Sequence, residues 1–413
     1  MKTKIVNIKA REILDSRANP TIEATVILEG GIQASASVPS GASVGKYEAH
    51  ELRDGDMTRY GGAGVLSAIN GIQSIIAPRL VGLSSTDSRK IDTVMLELDG
   101  TENKSVLGAN AILAISLAVA RAAAAALSIP LYRYLGGSLA KRLPVPMMNI
   151  LNGGVHASNN LEIQEFMIVP VGIESFAERL RAGSEIYKKL GSILRSRGYS
   201  TSVGDEGGYA PNLESDTEAC DLILEAIAAA GYGTREIKIA LDVASSEWYD
   251  GKEYKMAKSG KVYTADELCD YYELLTEKYP IMSIEDGVGE EDYEGWRSLT
   301  DRLSGKIMLV GDDLFVTNEK RVRNGIETGL ANSVLIKPNQ IGTLTEAINV
   351  INLCNANGYK PIISHRSGET EDSFIADLAV GVGAPYIKSG APCRSERLAK
   401  YNRLLAIEKE LFE

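Results

Sequence analysis

Cysteine is sparse and scattered in this sequence. Cys220, Cys269, Cys354 and Cys393 form no C-x-x-C pair, so neither a disulfide framework nor a zinc site is indicated. Basic residues are also short, 44 Lys and Arg against 55 Asp and Glu, and the net charge of -11 argues against a nucleic-acid or anionic-membrane surface. That balance fits a cytoplasmic enzyme. The N-terminal "MKTKIVNIKAREILDS" lacks an apolar core, and no secretory signal is expected. No internal repeat or low-complexity tract stands out. The one long apolar run, "ANAILAISLAVARAAAAALSIP" from Ala109 to Pro130, is rich in alanine, a weak membrane residue but the best helix former, and Arg121 interrupts it. A helix packed inside a globular protein is expected there, not a membrane span.

What is present divides near residue 140. At 413 residues the chain is long enough for two domains, or a small one plus a barrel. Before the division come strands (Ile5 to Ile8, Thr21 to Leu28, Gln33 to Val38) and then helices (about Leu66 to Ile76, Asp87 to Asp99, Ala109 to Leu127), the order of an α+β domain. "LGGSLAKRLPVP" reads as a linker, and domains are expected over 1–138 and 139–413. After Glu236 the pattern becomes regular. The apolar runs "IKIALDVA", "IMSIED", "IMLVGDD", "SVLIKPN", "KPIISHR" and "YIKSG" alternate with helices that begin near Thr264, Asp292, Asn318, Thr343 and Ser373, and a last helix starts near Ser395. Apolar runs alternating with helices mean parallel strands with crossovers, in an open sheet or a closed barrel.

Each apolar run ends in a polar or ionisable residue: Asp242, Glu285, Asp312, Lys337, His365 with Arg366, and Lys388. In a parallel barrel all strands open at their C-terminal ends on one face, so these side chains converge on one mouth, whereas an open sheet would string them along an edge. Convergence favours the barrel. Asp242, Glu285 and Asp312 are oxygen donors with no cysteine or histidine among them, a set that suits Mg²⁺. Taken singly, each reads equally well as an N-cap of the following helix; three in consecutive units, with Lys337 next in the series, do not. Arg366 and Ser367 in "SHRSGET" offer a fork of donors and a hydroxyl suited to a phosphate, although an ordinary polar loop would also permit them.

Upstream, "NGGVHASNNLEIQEF" puts His156 in a Gly-rich loop and Gln164 and Glu165 on an apolar run, where a charge is costly to bury without partners. A lone histidine such as His156 is more often structural than not. "SVGDEGGYAPNL" sets Asp205 and Glu206 between glycines, on backbone free to approach a ligand. "PSGASVGKYE", residues 39–48, comes close to a phosphate-cradling P-loop but has Ser40 where the first glycine belongs and Tyr47 where the metal-binding hydroxyl belongs, and a polar stretch follows instead of a helix. As a nucleotide site it fails.

The chain is similar to the enolase family from residue 4 to near its C-terminus. The matching stretches include "DSRANPT", "VPSGASVGKYEA", "NKSVLGANAI", "NGGVHASNN", "IQEFMIVP", "GDEGGYAP", "LDVASSE", "SIEDG", "VGDDLFVTN", "LIKPNQIGT", "SHRSGET" and "IKSGAP". The resemblance implies an α/β fold: a modified β/α (TIM-like) barrel, opening with two strands and two helices, with a smaller N-terminal α+β capping domain. It implies Asp242, Glu285 and Asp312 as ligands of a first Mg²⁺, and Ser43, on a mobile lid, as a ligand of a second. Lys337 falls on the family's general base and Glu206 on its general acid, with Glu165 the carboxylate beside that acid. His156, Gln164, His365, Arg366, Ser367 and Lys388 fall on substrate contacts. The near-P-loop is then a lid over a phosphoester.

The reaction so implied is the reversible dehydration of 2-phosphoglycerate to phosphoenolpyruvate, a glycolytic hydro-lyase step. Removing a proton beside a carboxylate adds charge to a group already negative, and two Mg²⁺ ions offset it; enolase-superfamily sites as a class pair a Lys or His base with one or two Mg²⁺ for this purpose. Nearby cations are expected to depress Lys337, and the like charge of Glu165 to keep Glu206 protonated. A homo-oligomer, dimer or octamer, is implied, with "REILDSRANPT" at the subunit contact. Ala18, Val44 and Gly287 depart from the family's usual glycine, threonine and proline, and Gly287 is expected to loosen the backbone after Glu285. Two other readings stand beside this one: a sister superfamily member acting on another acid, which Lys388 and the phosphate contacts disfavour, and a binding or structural protein that has lost catalysis, which the intact acid, base and ligand set disfavours.

Overall fold

In a computed structural model of the protein, which describes residues 2–41 and 45–412, the N-terminal part begins with three antiparallel strands. These are β1 (Ile5–Leu14), β2 (Pro20–Leu28) and β3 (Gln33–Ser37), in the order β1-β2-β3. Ile22, Ala24, Val26 and Leu28 of β2 alternate inward and are buried, the period-two pattern of a half-covered sheet. β1 runs six residues past the expected Ile8. Its second half, "REIL", carries too few apolar residues to show alternation, and it is held by pairing with β2, where Arg11 sits opposite Glu23 and bonds it at 2.7 Å.

The helix Ala109–Leu127 covers this sheet and buries most of its length. Among the described residues it is the one helix long and apolar enough to cross a membrane, and 78% of its most apolar window is buried inside the protein. It also touches the second domain. Ser116 Oγ accepts from Leu344 N at 3.0 Å, and Arg121 forks onto both oxygens of Asp372 at 2.6 and 2.7 Å.

The C-terminal part is a closed barrel of eight strands: β4 (Val145–Asn152), β5 (Glu165–Val169), β6 (Lys238–Asp242), then, past a small ribbon of β7 (Tyr254–Lys255) and β8 (Val262–Tyr263), β9 (Ile281–Glu285), β10 (Met308–Gly311), β11 (Ser333–Ile336), β12 (Lys360–Ser364) and β13 (Tyr386–Lys388). The ring order is β10-β11-β12-β13-β4-β5-β6-β9. All neighbours are parallel except β5, which is antiparallel to β4 and to β6. Two helices, Phe176–Ser196 and Asp216–Ala229, follow β5 before the regular alternation starts, as the resemblance implied. Met147, Met167, Ala240, Val310, Leu335 and Ile362 fill the barrel's interior. The outer helices start at the side chains the sequence marked: Thr264, in a full capping box with Glu267, and Asp292, Asn318 and Thr343 each accept from backbone N–H groups of the first turn.

Candidate active site

The barrel brings the strand-end residues to one mouth. Asp242, Glu285 and Lys388 are the last residues of β6, β9 and β13; Asp312, Lys337 and His365 come directly after β10, β11 and β12. Because β5 runs backwards, its first residue, Glu165, lies at this same end, paired in register with Asp242. Glu206 reaches in from the loop before the helix Asp216–Ala229, where Asn149 Nδ2 donates to its Oε2 at 3.1 Å. His156, Gln164, Arg366 and Ser367 join them around a single cleft. Every predicted site residue but one is therefore gathered here, with Glu285 packed just behind the cleft wall. The exception, Ser43, lies outside the described residues, as does Val44.

Charge is concentrated and buried. Lys388 Nζ, 2% exposed as a residue, donates to Asp242 Oδ2 at 2.9 Å and to Glu285 at 2.9 and 3.0 Å, and lies 3.2 Å from Glu165 Oε1. Burial alone would lower Lys388; these carboxylates outweigh it and hold the ammonium well above its usual range. Glu285 and Glu165 are both pushed well up, by burial first and then by neighbouring carboxylates, Asp242 for Glu285 and Glu206 for Glu165. Arg366 meets Glu48, at 2.8 Å from Nη1 to Oε2 and 3.1 Å from Nη2 to Oε1, so a carboxylate from the N-terminal domain engages the guanidinium assigned to phosphate.

Two protonation states differ from expectation. Lys337 bonds Asp312 directly, and its pKa is raised, not depressed: burial, Arg366 and Lys388 all lower it, but Asp312 and Glu285 prevail. Glu206 is held well below the carboxylate range, not raised as expected, and it is Glu165 that is pushed well above it. Burial raises both, and His156 Nδ1 lies near both, 3.8 Å from Glu165 Oε1 and 3.9 Å from Glu206 Oε1, but Glu206 also meets His365, whose Nε2 is 3.5 Å from its Oε2. Burial also lowers His365 to about 4, leaving a neutral ring that acts on Glu206 as a hydrogen-bond donor. Gly287 also departs from expectation. Its carbonyl accepts from Tyr272 at 2.7 Å, and a Cβ there would press on Ile284 and Leu299 at 3.0 Å, so the backbone after Glu285 is pinned, not loosened.

The donor set fits a divalent cation. Asp242, Glu285, Asp312, Glu165 and Glu206 outnumber the cations around them, Lys388, Lys337 and Arg366, the last of which is engaged by Glu48, and Glu165 Oε2 is buried with no hydrogen-bond partner. Buried oxygens in negative excess suit a hard cation. Among the described residues, two groups have ligand atoms within 4.8 Å of one another, His156 with Glu165 and Glu206, and Asp286 with Asp312 and Asp313. The predicted trio of Asp242, Glu285 and Asp312 is not that compact, because Lys388 bridges two of its members and Lys337 takes the third.

Sequence reasoning missed Glu48, Asp286, Asp313 and Arg397. Doubled acids in "IED" and "GDD" were a visible signal for Asp286 and Asp313; Asp286 accepts from the backbone N–H groups of Asp312 and Asp313 at 2.9 Å each, and Asp313 is raised to about 8 by burial and Asp312. Glu48 and Arg397 had no such signal.

A family model described as "Enolase, C-terminal TIM barrel domain" matches residues 140–413, and another described as "Enolase, N-terminal domain" matches residues 5–135.

Proposed function

Because this chain belongs to the enolase family and is a lyase-type enzyme on that ground, we propose that it dehydrates 2-phosphoglycerate reversibly to phosphoenolpyruvate. One observation carries the reading. In the ring order, β11, which is followed directly by Lys337, lies opposite β5, which begins at Glu165 beside Glu206, so a base and an acid pair face each other across the cleft. An elimination in which hydrogen and hydroxyl leave adjacent carbons from opposite faces needs that arrangement.

Lys337 Nζ, as the free amine, takes the proton from C2 of the substrate. The C–H electron pair passes first onto the substrate carboxylate; it returns to form the C2–C3 double bond as the C3–O bond breaks, and the departing hydroxide takes a proton from the Glu165–Glu206 pair and leaves as water. Arg366 and Ser367 hold the phosphate, for which Arg366 must exchange its contact with Glu48. Asp242, Glu285 and Asp312 would hold Mg²⁺, joined by Ser43 for a second ion. When bound, Mg²⁺ neutralises charge developing on the substrate carboxylate. Engaging Asp312 and Glu285 with such a cation would leave burial, Arg366 and Lys388 to lower the amine toward the range a base needs.

Exchange of the C2 hydrogen with deuterated solvent tests the roles separately. Lys337→Ala should abolish both exchange and turnover. Glu206→Gln should lose turnover by about 10²–10⁴-fold, the usual worth of an acid or base group, yet keep measurable exchange. Exchange at the wild-type rate in Lys337→Ala would overturn the assignment of the base, and no reaction of the wild-type protein with 2-phosphoglycerate and Mg²⁺ would overturn the substrate.

A further inference from the structure

Arg397, on the helix Ser395–Phe412, lies outside the cleft lining and is fully buried. Its Nη1 donates to the Arg366 carbonyl at 2.6 Å and lies 2.6 Å from His365 Nδ1; its Nη2 donates to the carbonyls of Ser367 at 2.6 Å and Asp205 at 3.1 Å. Among the described residues no carboxylate accepts a hydrogen bond from it, and Glu396 Oε1 lies 3.6 Å from Nε. Gly390 makes room for its stem, since a Cβ there would lie 2.9 Å from Arg397 Cδ. A buried guanidinium is costly, and a neutral side chain would serve if only loop carbonyls needed capping.

The imidazole contact distinguishes this arginine from a loop clamp. A guanidinium has five donors and no acceptor and keeps its charge, so the nitrogen facing it must present a lone pair. Nδ1 of His365 is therefore bare, and the ring's single proton sits on Nε2, the atom that faces Glu206 Oε2 at 3.5 Å. The other groups around the ring are consistent with this. Glu369 is occupied by Lys400 at 2.7 Å and by Arg366 N at 3.2 Å, which leaves Arg397 as the partner of Nδ1. The same side chain holds the backbone on either side of the site, at Asp205 before the acid and at Arg366 and Ser367 in the phosphate wall.

We infer that Arg397 is a positioning residue that fixes His365 as the neutral Nε2–H tautomer and so aims a hydrogen-bond donor at Glu206. The inference deepens the dehydration reading and rests on it only for its kinetic consequence. Reversing the tautomer would turn a lone pair toward Glu206 and leave that carboxylate without the donor.

The test uses the full-length protein with ¹⁵N-labelled histidine. The chain has only three histidines, so long-range ¹H–¹⁵N correlations resolve each ring. The spectrum of the wild-type protein should show His365 with Nε2 protonated and Nδ1 bare, unchanged from pH 6 to 8. A protonated Nδ1, or an imidazolium at neutral pH, overturns the inference without any variant. In Arg397→Met the tautomer signature should change and His365 should titrate at higher pH than in the wild type. Turnover of 2-phosphoglycerate should fall by about 10–100-fold, as for other groups that orient a functional ligand, with C2 exchange retained. A folded Arg397→Met that keeps the wild-type His365 signature while losing activity also overturns it. If the variant does not fold, the wild-type spectrum decides; and if the wild type fails to act on 2-phosphoglycerate, the substrate assignment falls while the spectra still judge Arg397.

Discussion

Replacing Lys388 by methionine keeps most of the stem's volume and removes the one ammonium shared by Asp242, Glu285 and Glu165. Breaking a buried ion pair by deleting one partner costs about 3–5 kcal/mol. Proton uptake sets a second bound, because one lost positive charge is balanced by one proton gained. Placing a proton on a glutamate whose ordinary pKa is about 4.3 costs about 4 kcal/mol at pH 7 but only about 1 kcal/mol at pH 5, at about 1.4 kcal/mol per unit. The sign follows from Glu285 and Glu165, both already raised in the folded state. A raised carboxyl contributes stability at low pH that is lost as pH rises through its folded pKa, and losing Lys388 raises both further. Lys388 itself stays charged, folded or unfolded, throughout this range. The variant's deficit should thus be about 4 kcal/mol at pH 7 and shrink to about 1 kcal/mol at pH 5, read from urea unfolding with chelator present. Adding Mg²⁺ at pH 7 should then stabilise the variant more than the parent. A deficit of equal size at both pH values, or none at all, would refute the view that the ammonium compensates these carboxylates.

Two further outcomes can be checked directly. Ala18 holds φ 60° in the turn closed by Asp15, whose Oδ1 accepts from Arg17 N and Asn19 N; the left-handed conformation costs an alanine about 1–2 kcal/mol, partly offset by the freedom glycine regains on unfolding, so Ala18→Gly should stabilise by about 1 kcal/mol and a lower unfolding midpoint would contradict it. The homo-oligomer that the family resemblance implies should sediment as at least a dimer at micromolar concentration, and a stable monomer there would count against it.

How much could be read in advance depends on the kind of element. Asp242, Glu285, Asp312, Lys337, His365 and Lys388 were legible because each ends a buried apolar run, and a parallel barrel turns every such end to one face. Helix starts were legible for a similar reason, as Thr264, Asp292, Asn318 and Thr343 are side chains that satisfy first-turn N–H groups. The second half of β1 was not, because its order comes from partners on β2 and not from its own alternation. Arg397 lies within an amphipathic helix among other charges and gains its meaning only where that helix meets the loops at 205 and 366–367. The proton positions were not legible either. Lys337 is raised and Glu206 lowered by particular neighbours, Asp312 for the one and His365 for the other, and sequence order does not disclose such pairings.

The closure of the barrel also carries a consequence for synthesis. β13 pairs with β12 on one side and with β4 on the other, and it is the last strand to be made. Until Tyr386–Lys388 leaves the ribosome, β4 has no partner on that side, although the other seven barrel strands are already outside. Domains tend to form in the order they emerge, and contacts between distant segments come late. The strand that shuts the ring therefore also delivers Lys388, so the acidic side chains of β5, β6 and β9 wait without their ammonium until the moment of closure. A nascent chain stalled a few dozen residues short is left with an open sheet edge and an uncompensated acidic floor together. For such a stalled chain, free divalent cation in the surrounding solution would stand in for the missing lysine and serve as a folding aid before it serves as a cofactor.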